Sequence, residues 1–581
     1  MSNARVVKWI GVITAVNIGI VLALTQCTML ETLRPPPAFQ PADTPYGNYL
    51  AARYATNLND SDAAASFYRK ALKFDPGNIE LTERTLAAEV SAGNLDAAAD
   101  LAERIVGRIP DAKLPNLVLG IRALRDAGYA RARAAFDRIK DNPAAEVAAR
   151  LGIAYAFFSE GNIDAARKSL QALGNMSGAE AFLLYQRAIL EDLSGQPEAA
   201  REHFRNASSL TDGEAQRIVQ AYGNHLARMG RTAEALAVFR DFLKKYPDNP
   251  VMQGELDRIE RGGAPRRVVA NAREGLAETL YGIASNLAEG KAIEVPVFYL
   301  QLALALDPGH ELSLSLLGER LELGGRHEQA INAYRRIPAS SPVHAGAQQQ
   351  IARNLVILKR PDEALKVLRA ALDGSRNDVD TWSALGDVYR GEEKFKDAIA
   401  AYDRAIDLID TPREHHWIHF YARGIAHERS GNWSLAEGDL KRSLALRPNN
   451  PEVMNYLAYS WVDRGKNIQE ALVMLRQAVA LRPEDGFIVD SLGWAYYKLG
   501  NYADALRWLE KAVYLEPGEA TINDHLGDAY WKMGRRDEAR FQWQHALDLG
   551  PEEGEEPRIR RKLKEGLVDE PPAAVPKPGK D

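Results

Sequence analysis

The sequence predicts an all-α chain built as a solenoid of stacked helix–turn–helix units, and two observations carry that expectation. The first is self-similarity. The stretch VDSLGWAYYKLGNYADALRWLEKAVYLEP, from Val489 to Pro517, is followed 34 residues on by DHLGDAYWKMGRRDEARFQWQHALDLGP. Gly493 then meets Gly527, Tyr496 meets Tyr530, Ala505 meets Ala539 and Pro517 meets Pro551. A fixed period of roughly 20–50 residues marks a repeat architecture, because one such unit cannot bury its own apolar face. The second observation is length. The 581 residues are 46% hydrophobic and 26% charged, a soluble globular balance in a chain too long for one core.

Charge and cysteine content narrow the function classes. A net charge of −6 argues against a general nucleic-acid binder, which would present a basic face. The single cysteine, Cys27, excludes an internal disulfide and a multi-cysteine metal site.

Residues 1–30 read as a targeting segment. Arg5 and Lys8 precede an apolar run, Trp9 to Leu24, and no charge follows until Glu31. Crossing a bilayer takes about 20 apolar residues and a secretory core about 7–15; this run lies between the two. The basic residues ahead of it favour an inside amino terminus and an outside body. Cys27 closes the segment and resembles the lipidated cysteine of a bacterial lipoprotein signal. Leu24 fits that pattern, whereas Gln26 stands where a small residue is expected. A signal anchor and a lipoprotein signal both stand, and both place the body on the periplasmic side of a membrane; a cytoplasm-facing or cleaved form is the third reading. The Pro-rich linker, 31–44, contains RPPPAFQPADT and favours an extended spacer.

The repeat marks run through the body. Pro448, Pro483, Pro517 and Pro551 are spaced 35, 34 and 34, and Pro76 with Pro110 and Pro308 with Pro342 are each 34 apart. Proline ends a second helix because it cannot continue the hydrogen-bond ladder. Ala132 with Phe136, Ala166 with Leu170, Ala200 with Phe204 and Ala235 with Phe239 mark further second helices, for thirteen or fourteen units in all. Gly493 and Ala505 are small where two helices of one unit cross. The stretch LDRIERGGAPRRVVANAREG interrupts the spacing, punctuated by Gly262, Gly263 and Pro265. It divides the array into solenoids at 45–261 and 262–567, the alternative being one continuous array with a longer connection. PRIRRKLKEGL, from Pro557, reads as a capping helix with a solvated basic outer face. Residues 568–581 read as a disordered tail.

These marks resemble the tetratricopeptide repeat family. The unit from Val379 carries Trp382, Leu385, Gly386, Tyr389, Ala398, Tyr402 and Ala405 at the family's positions. The unit from Gly486 carries Val489, Leu492, Gly493, Tyr496, Ala505, Leu509, Ala512 and Pro517, and the unit from Ala520 departs only at Asn523. The resemblance implies a right-handed superhelical solenoid whose first helices line an inner groove. Carried onto the last units, the groove residues are Asn455, Tyr459 and Asp463; Phe487, Asp490, Trp494, Tyr497 and Lys498; and Asp524, Asp528, Trp531 and Lys532. Family members that clamp a terminal carboxylate use Lys and Asn where this chain has Asp490, Asp524 and Asp528, which would repel one. The expected partner is instead an extended peptide or loop bearing basic and apolar residues, held by carboxylates and aromatic faces.

The search for chemistry finds no phosphate-binding glycine loop, paired-histidine zinc helix or nucleophile elbow. His415 and His419, in REHHWIHFYARGIAHE, are four apart and could share a helical face, but no third ligand completes a familiar metal spacing. The expectation is a non-enzymatic scaffold with no cofactor and no metal, tethered to a membrane and binding proteins rather than nucleic acid. The chain resembles long tetratricopeptide envelope proteins of Gram-negative bacteria. That likeness implies service to a protease or cell-wall hydrolase, or alternatively a place in a polysaccharide synthesis or export assembly.

Overall fold

The computed structural model describes residues 44–140, 143–173, 178–288, 290, 292–374, 377–552 and 554–567. The expected signal segment with Cys27, the linker up to residue 43 and the 568–581 tail lie outside them. The described residues form thirty α-helices, one short 3-10 turn and no strand. Fourteen helix–turn–helix pairs and two single helices account for them. Among these residues no helix is long and apolar enough to cross a membrane.

Local chemistry sets each unit. Several first helices open on side-chain caps that satisfy an otherwise orphaned amide. Asp378 accepts from Thr381 N at 2.6 Å and Asp485 from Ile488 N at 3.2 Å. The turn between the paired helices passes through left-handed backbone, at Gly500 with φ 76° and Gly534 with φ 79°. The equivalent Lys359 and Glu393, at φ 60° and 56°, bear that conformation at about 1 kcal/mol each. The small residue of the first helix is required by the large residue sixteen places later. A Cβ on Gly386 would lie 2.5 Å from the Tyr402 ring, and one on Gly527 2.5 Å from Trp543.

The described residues divide into two compact units, one within 44–374 and one within 377–567. The first runs from Pro45–Asn57 to Pro361–Gly374. The boundary read at 261/262 therefore falls inside it, for two reasons. The interrupting loop is tied down: Arg228 Nη1 donates to the Arg266 carbonyl at 2.7 Å, the Arg266 amide to Asn224 Oδ1 at 3.3 Å, and Arg267 lies 3.8 Å from Asp192. The helix pair that follows also packs back on the array. Ala272–Leu287 lies along Pro143–Ser159 and Glu180–Leu193, and Glu294–Leu306 along Ile79–Ser91 and Lys113–Arg125. All four of those are first helices of their units.

The sequence of this pair explains its position. Glu294–Leu306 reads EVPVFYLQLALAL and buries Val297, Tyr299, Leu300, Leu302, Leu304 and Leu306; a helix apolar nearly all round must be covered. Gly275 lets Ala272–Leu287 approach Tyr155, whose ring would stand 2.3 Å from an added Cβ. Glu278 pins the same helix from inside. Its carboxylate accepts from Arg217 at 2.7 and 2.9 Å and from the Tyr185 hydroxyl at 2.9 Å, and stands 3.1 Å from His310 Nε2. Burial opposes its charge, but Arg217 and His310 hold the carboxyl well below its ordinary range.

The second unit consists of five pairs, from Val379–Gly391 to Arg536–Asp548, and the single terminal helix Glu556–Glu565. One apolar cluster runs from Trp417 through Trp461, Leu492, Leu509 and Trp543 to Ile559. Ile559 is fully buried, so the terminal helix is docked by its apolar side.

Candidate partner-binding groove

The first helices Pro451–Asp463, Gly486–Lys498 and Ala520–Lys532, followed by Glu556–Glu565, repeat two rows of side chains at intervals of 34 or 35 residues. One row is Asn455, Asp490, Asp524 and Arg558; the other is Tyr459, Trp494, Asp528 and Lys562. The repeat thus sets a carboxylate of one helix beside a cation of the next.

This arrangement corrects the expected acidic groove. Asp490, Asp524 and Asp528 are all buried, and each is matched inside the protein. Lys562 Nζ donates to Asp524 at 2.7 and 2.8 Å and to Asp528 at 2.8 Å. Arg558 reaches Asp524 at 3.1 Å, and Trp543 Nε1 donates to Asp528 at 2.9 Å. Asp490 receives His525 Nδ1 at 3.0 Å. Burial and Asp524 push Asp528 above its ordinary value against the pull of Lys562. Burial alone would lower His525, but Asp490 raises it beyond that, with Asp524 and Asp528 adding to the effect. The terminal helix keeps the expected solvated basic face at Arg560, Arg561 and Lys564, which are exposed, but one of its basic residues turns inward. Lys562 is buried, and its role was visible only as a basic residue 34 places after Asp528. His525 and Arg558 were missed in the same way.

The aromatic residues are more deeply set than groove positions suggest. Trp494 is 8% exposed. Its indole stacks on Tyr497, centroids 4.7 Å apart and 5° between planes, and on His525, at 4.0 Å and 13°. Lys498 Nζ lies 4.8 Å from the same ring system. Trp531 is half-buried, with the Arg536 guanidinium 3.8 Å from its centroid and Trp543 at 5.3 Å. The Gly566 backbone seats on its edge, where a Cβ would come within 2.1 Å. Tyr459 is half-buried, and burial with Asp490 nearby raises its hydroxyl well above the ordinary value. Lys532 is half-buried, while Asp463 and Lys498 are exposed. Two buried polar atoms in these rows have no hydrogen-bond partner among the described residues: Asn455 Oδ1 and Trp494 Nε1.

The histidine cluster does not assemble as one helical face. His415 falls in the 3-10 turn Glu414–His416 and His419 in the helix Trp417–Arg429. His419 lies 2.9 Å from Ser383 Oγ, and burial pushes it down to about 4. Burial also lowers His427.

Helix–turn–helix pairs stacked at this repeat define a helical-repeat interaction scaffold. Family models described as tetratricopeptide repeat match residues 326–550, residues 117–180 and 185–250, and residues 46–78. The chain belongs to the tetratricopeptide repeat family. TPR repeat-containing protein PA4667 of Pseudomonas aeruginosa is 34% identical over 84 residues, 14% of each chain. Cytochrome c-type biogenesis protein CycH of Rhizobium meliloti is 34% identical over 106 residues, 18% of this chain and 27% of that one. These matches thus span 14% and 27% of the relatives' lengths. Among solved structures, the APC/C hetero-tetramer Cut9–Hcn1 is similar at 16% identity, covering 90% of this chain and 96% of that one, with a TM-score of 0.39. Yeast Tom70 is similar at 14% identity, covering 90% and 95%, with a TM-score of 0.32. Those two likenesses concern the fold alone.

Proposed function

We propose that the chain is a non-enzymatic scaffold, tethered by its first 30 residues, whose C-terminal groove holds an extended segment of a protein partner on the periplasmic side of a bacterial envelope. The observation that carries the groove is the pair of unmatched buried groups, Asn455 Oδ1 and Trp494 Nε1. Each costs about 1–3 kcal/mol when left without a partner. A peptide backbone offers both the N–H and the C=O that would meet them, and the Trp494–Tyr497 stack offers contact area with few torsions to freeze. The carboxylates are already matched by Lys562, Arg558 and His525. The partner's apolar side chains and backbone, rather than its basic residues, therefore supply the recognition. A protease or cell-wall hydrolase is the partner class this reading favours. The partial likeness to a cytochrome c-type biogenesis protein is in keeping with a chain that attends the assembly of another protein.

Crosslinking in intact membranes followed by copurification tests the reading. Trp494→Phe keeps an aromatic ring while removing the N–H and part of the indole; combined with Asn455→Ala, it should weaken partner capture by roughly 2–4 kcal/mol, the scale of a binding hot spot, in variants that melting shows to be folded. Unchanged capture would move the binding surface elsewhere. The tether is tested separately by a reporter fused after Asp581: one active only outside the cytoplasm should give signal, and a working cytoplasm-only reporter would refute the placement. Labelled fatty acid that is incorporated by the native chain and lost in Cys27→Ser would select the lipoprotein form over the plain anchor.

A further inference from the structure

The first unit contains a cavity of about 440 Å³ between its opening repeats and the Glu294–Leu306 helix, within the size range of small-molecule sites. Tyr68, Ala88, Leu117, Val297, Phe298 and Tyr299 are among the residues of its apolar wall. The charged groups that line it are three cations, Arg84, Lys113 and Arg326, and one carboxylate, Glu294. Arg84 is engaged by Glu80 at 2.8 Å. Arg326 is held less well. It donates to Ser61 Oγ at 3.2 Å, and Asp62 comes no nearer than 3.9 Å. Its side chain is 8% exposed, and its buried Nε has no hydrogen-bond partner among the described residues. A guanidinium taken out of water needs a close acceptor for its fixed fork of donors. Burial accordingly pulls its pKa below the ordinary value, with Asp62 and Asp60 only partly opposing.

Two helix amino termini meet the same cavity. Lys113–Arg125 begins after Ala112 and Glu294–Leu306 after Ile293, each 13 residues long and each without a side-chain cap. Lys113, Leu114, Ile293 and Glu294 all line the space. Uncapped amides and the positive end of the helix dipole favour an anion. Apolar walls with cationic groups and two positive helix ends fit neither a free inorganic anion, which has no use for the walls, nor a neutral hydrocarbon, which leaves Arg326 unmatched.

We propose that this cavity binds a single-chain anionic amphiphile, a long-chain carboxylate, with the head at Arg326 and the chain along Tyr68, Leu117, Val297 and Phe298. The site belongs to the first unit and is independent of the C-terminal groove.

Calorimetric titration of the full chain with dodecanoate, dodecan-1-ol and acetate tests it. Dodecanoate should saturate one site, with acetate and dodecan-1-ol at least about tenfold weaker. Arg326→Gln should weaken dodecanoate by about 10- to 100-fold, the scale of a charge-assisted hydrogen bond, and leave dodecan-1-ol unchanged. Ala88→Trp, which fills the space, should abolish binding of both. Melting without ligand checks that each variant folds; if Arg326→Gln does not, Lys113→Gln is read instead and should weaken dodecanoate severalfold. The proposal is overturned if dodecanoate shows no saturable binding, if it binds no better than dodecan-1-ol, or if its affinity ignores the substitutions in the folded variants.

Discussion

Replacing Lys562 by methionine asks whether charge holds the last helix in place. The ammonium bridges Asp524 and Asp528 at 2.7–2.8 Å, with side-chain exposures of 9%, 1% and 5% for the three residues. Removing one partner of a buried ion pair costs roughly 3–5 kcal/mol, because the other charge stays behind. Two contacts reduce that figure here. Arg558, about half exposed, still reaches Asp524 at 3.1 Å, and Trp543 Nε1 still donates to Asp528. Undocking of Glu556–Glu565 should therefore become easier by about 2–4 kcal/mol at neutral pH. The sign of the pH dependence follows from Asp528. Its folded pKa is already raised, and Lys562 is a cause that lowers it, so the variant raises it further. The loss is then largest where Asp528 is ionised and shrinks as pH falls through its folded pKa and it takes up a proton. Hydrogen exchange of Glu556–Glu565 measures the undocking, and Trp531 fluorescence reports it independently, because the Gly566 backbone covers that indole. Asp524→Asn added to Lys562→Met should recover part of the loss. Exchange that stays at the native rate in this helix, or a loss of equal size at about pH 4 and about pH 8, would refute the reasoning.

Glu278→Gln should destabilise the first unit by roughly 3–5 kcal/mol, since the Arg217 guanidinium would keep its place without a countercharge. Exchange should rise first in Ala272–Leu287. The folded pKa of Glu278 is depressed, so its contribution is fully present above its ordinary value and lost as pH falls toward the folded one; the variant should show a flatter acid limb in thermal melts. Gly493→Trp should cost about 1–3 kcal/mol or more, because even a Cβ there lies 2.7 Å from Leu509 Cγ. The damage should stay within the second unit, and exchange that rises evenly through both units would count against near-neighbour coupling.

Much of this protein is local and therefore readable along the chain. The 34-residue period, the prolines behind the second helices and the glycines opposite Tyr402, Leu509 and Trp543 are constraints between residues of one unit or adjoining units. Any such constraint recurs at the period, so a single sequence displays it many times over. The row positions of Asn455, Asp490, Asp524, Tyr459, Trp494 and Asp528 follow from the same count.

What occupies those rows was another matter. Repetition says where a side chain stands, not which charge of another helix meets it. Asp528 is matched by Lys562 because the terminal helix stacks as one more first helix, which changes an acidic surface into a buried, compensated interior. Nor does the period locate Glu294–Leu306 against helices some 200 residues earlier in the chain, such as Ile79–Ser91. That pairing occurs once, and it depends on an all-round apolar helix finding cover. The sequence by itself determined the unit, its turns and its stacking, because those are set by neighbours. Only the tertiary structure decided which faces remain open, because a face is closed by long-range packing and by matching of buried charge.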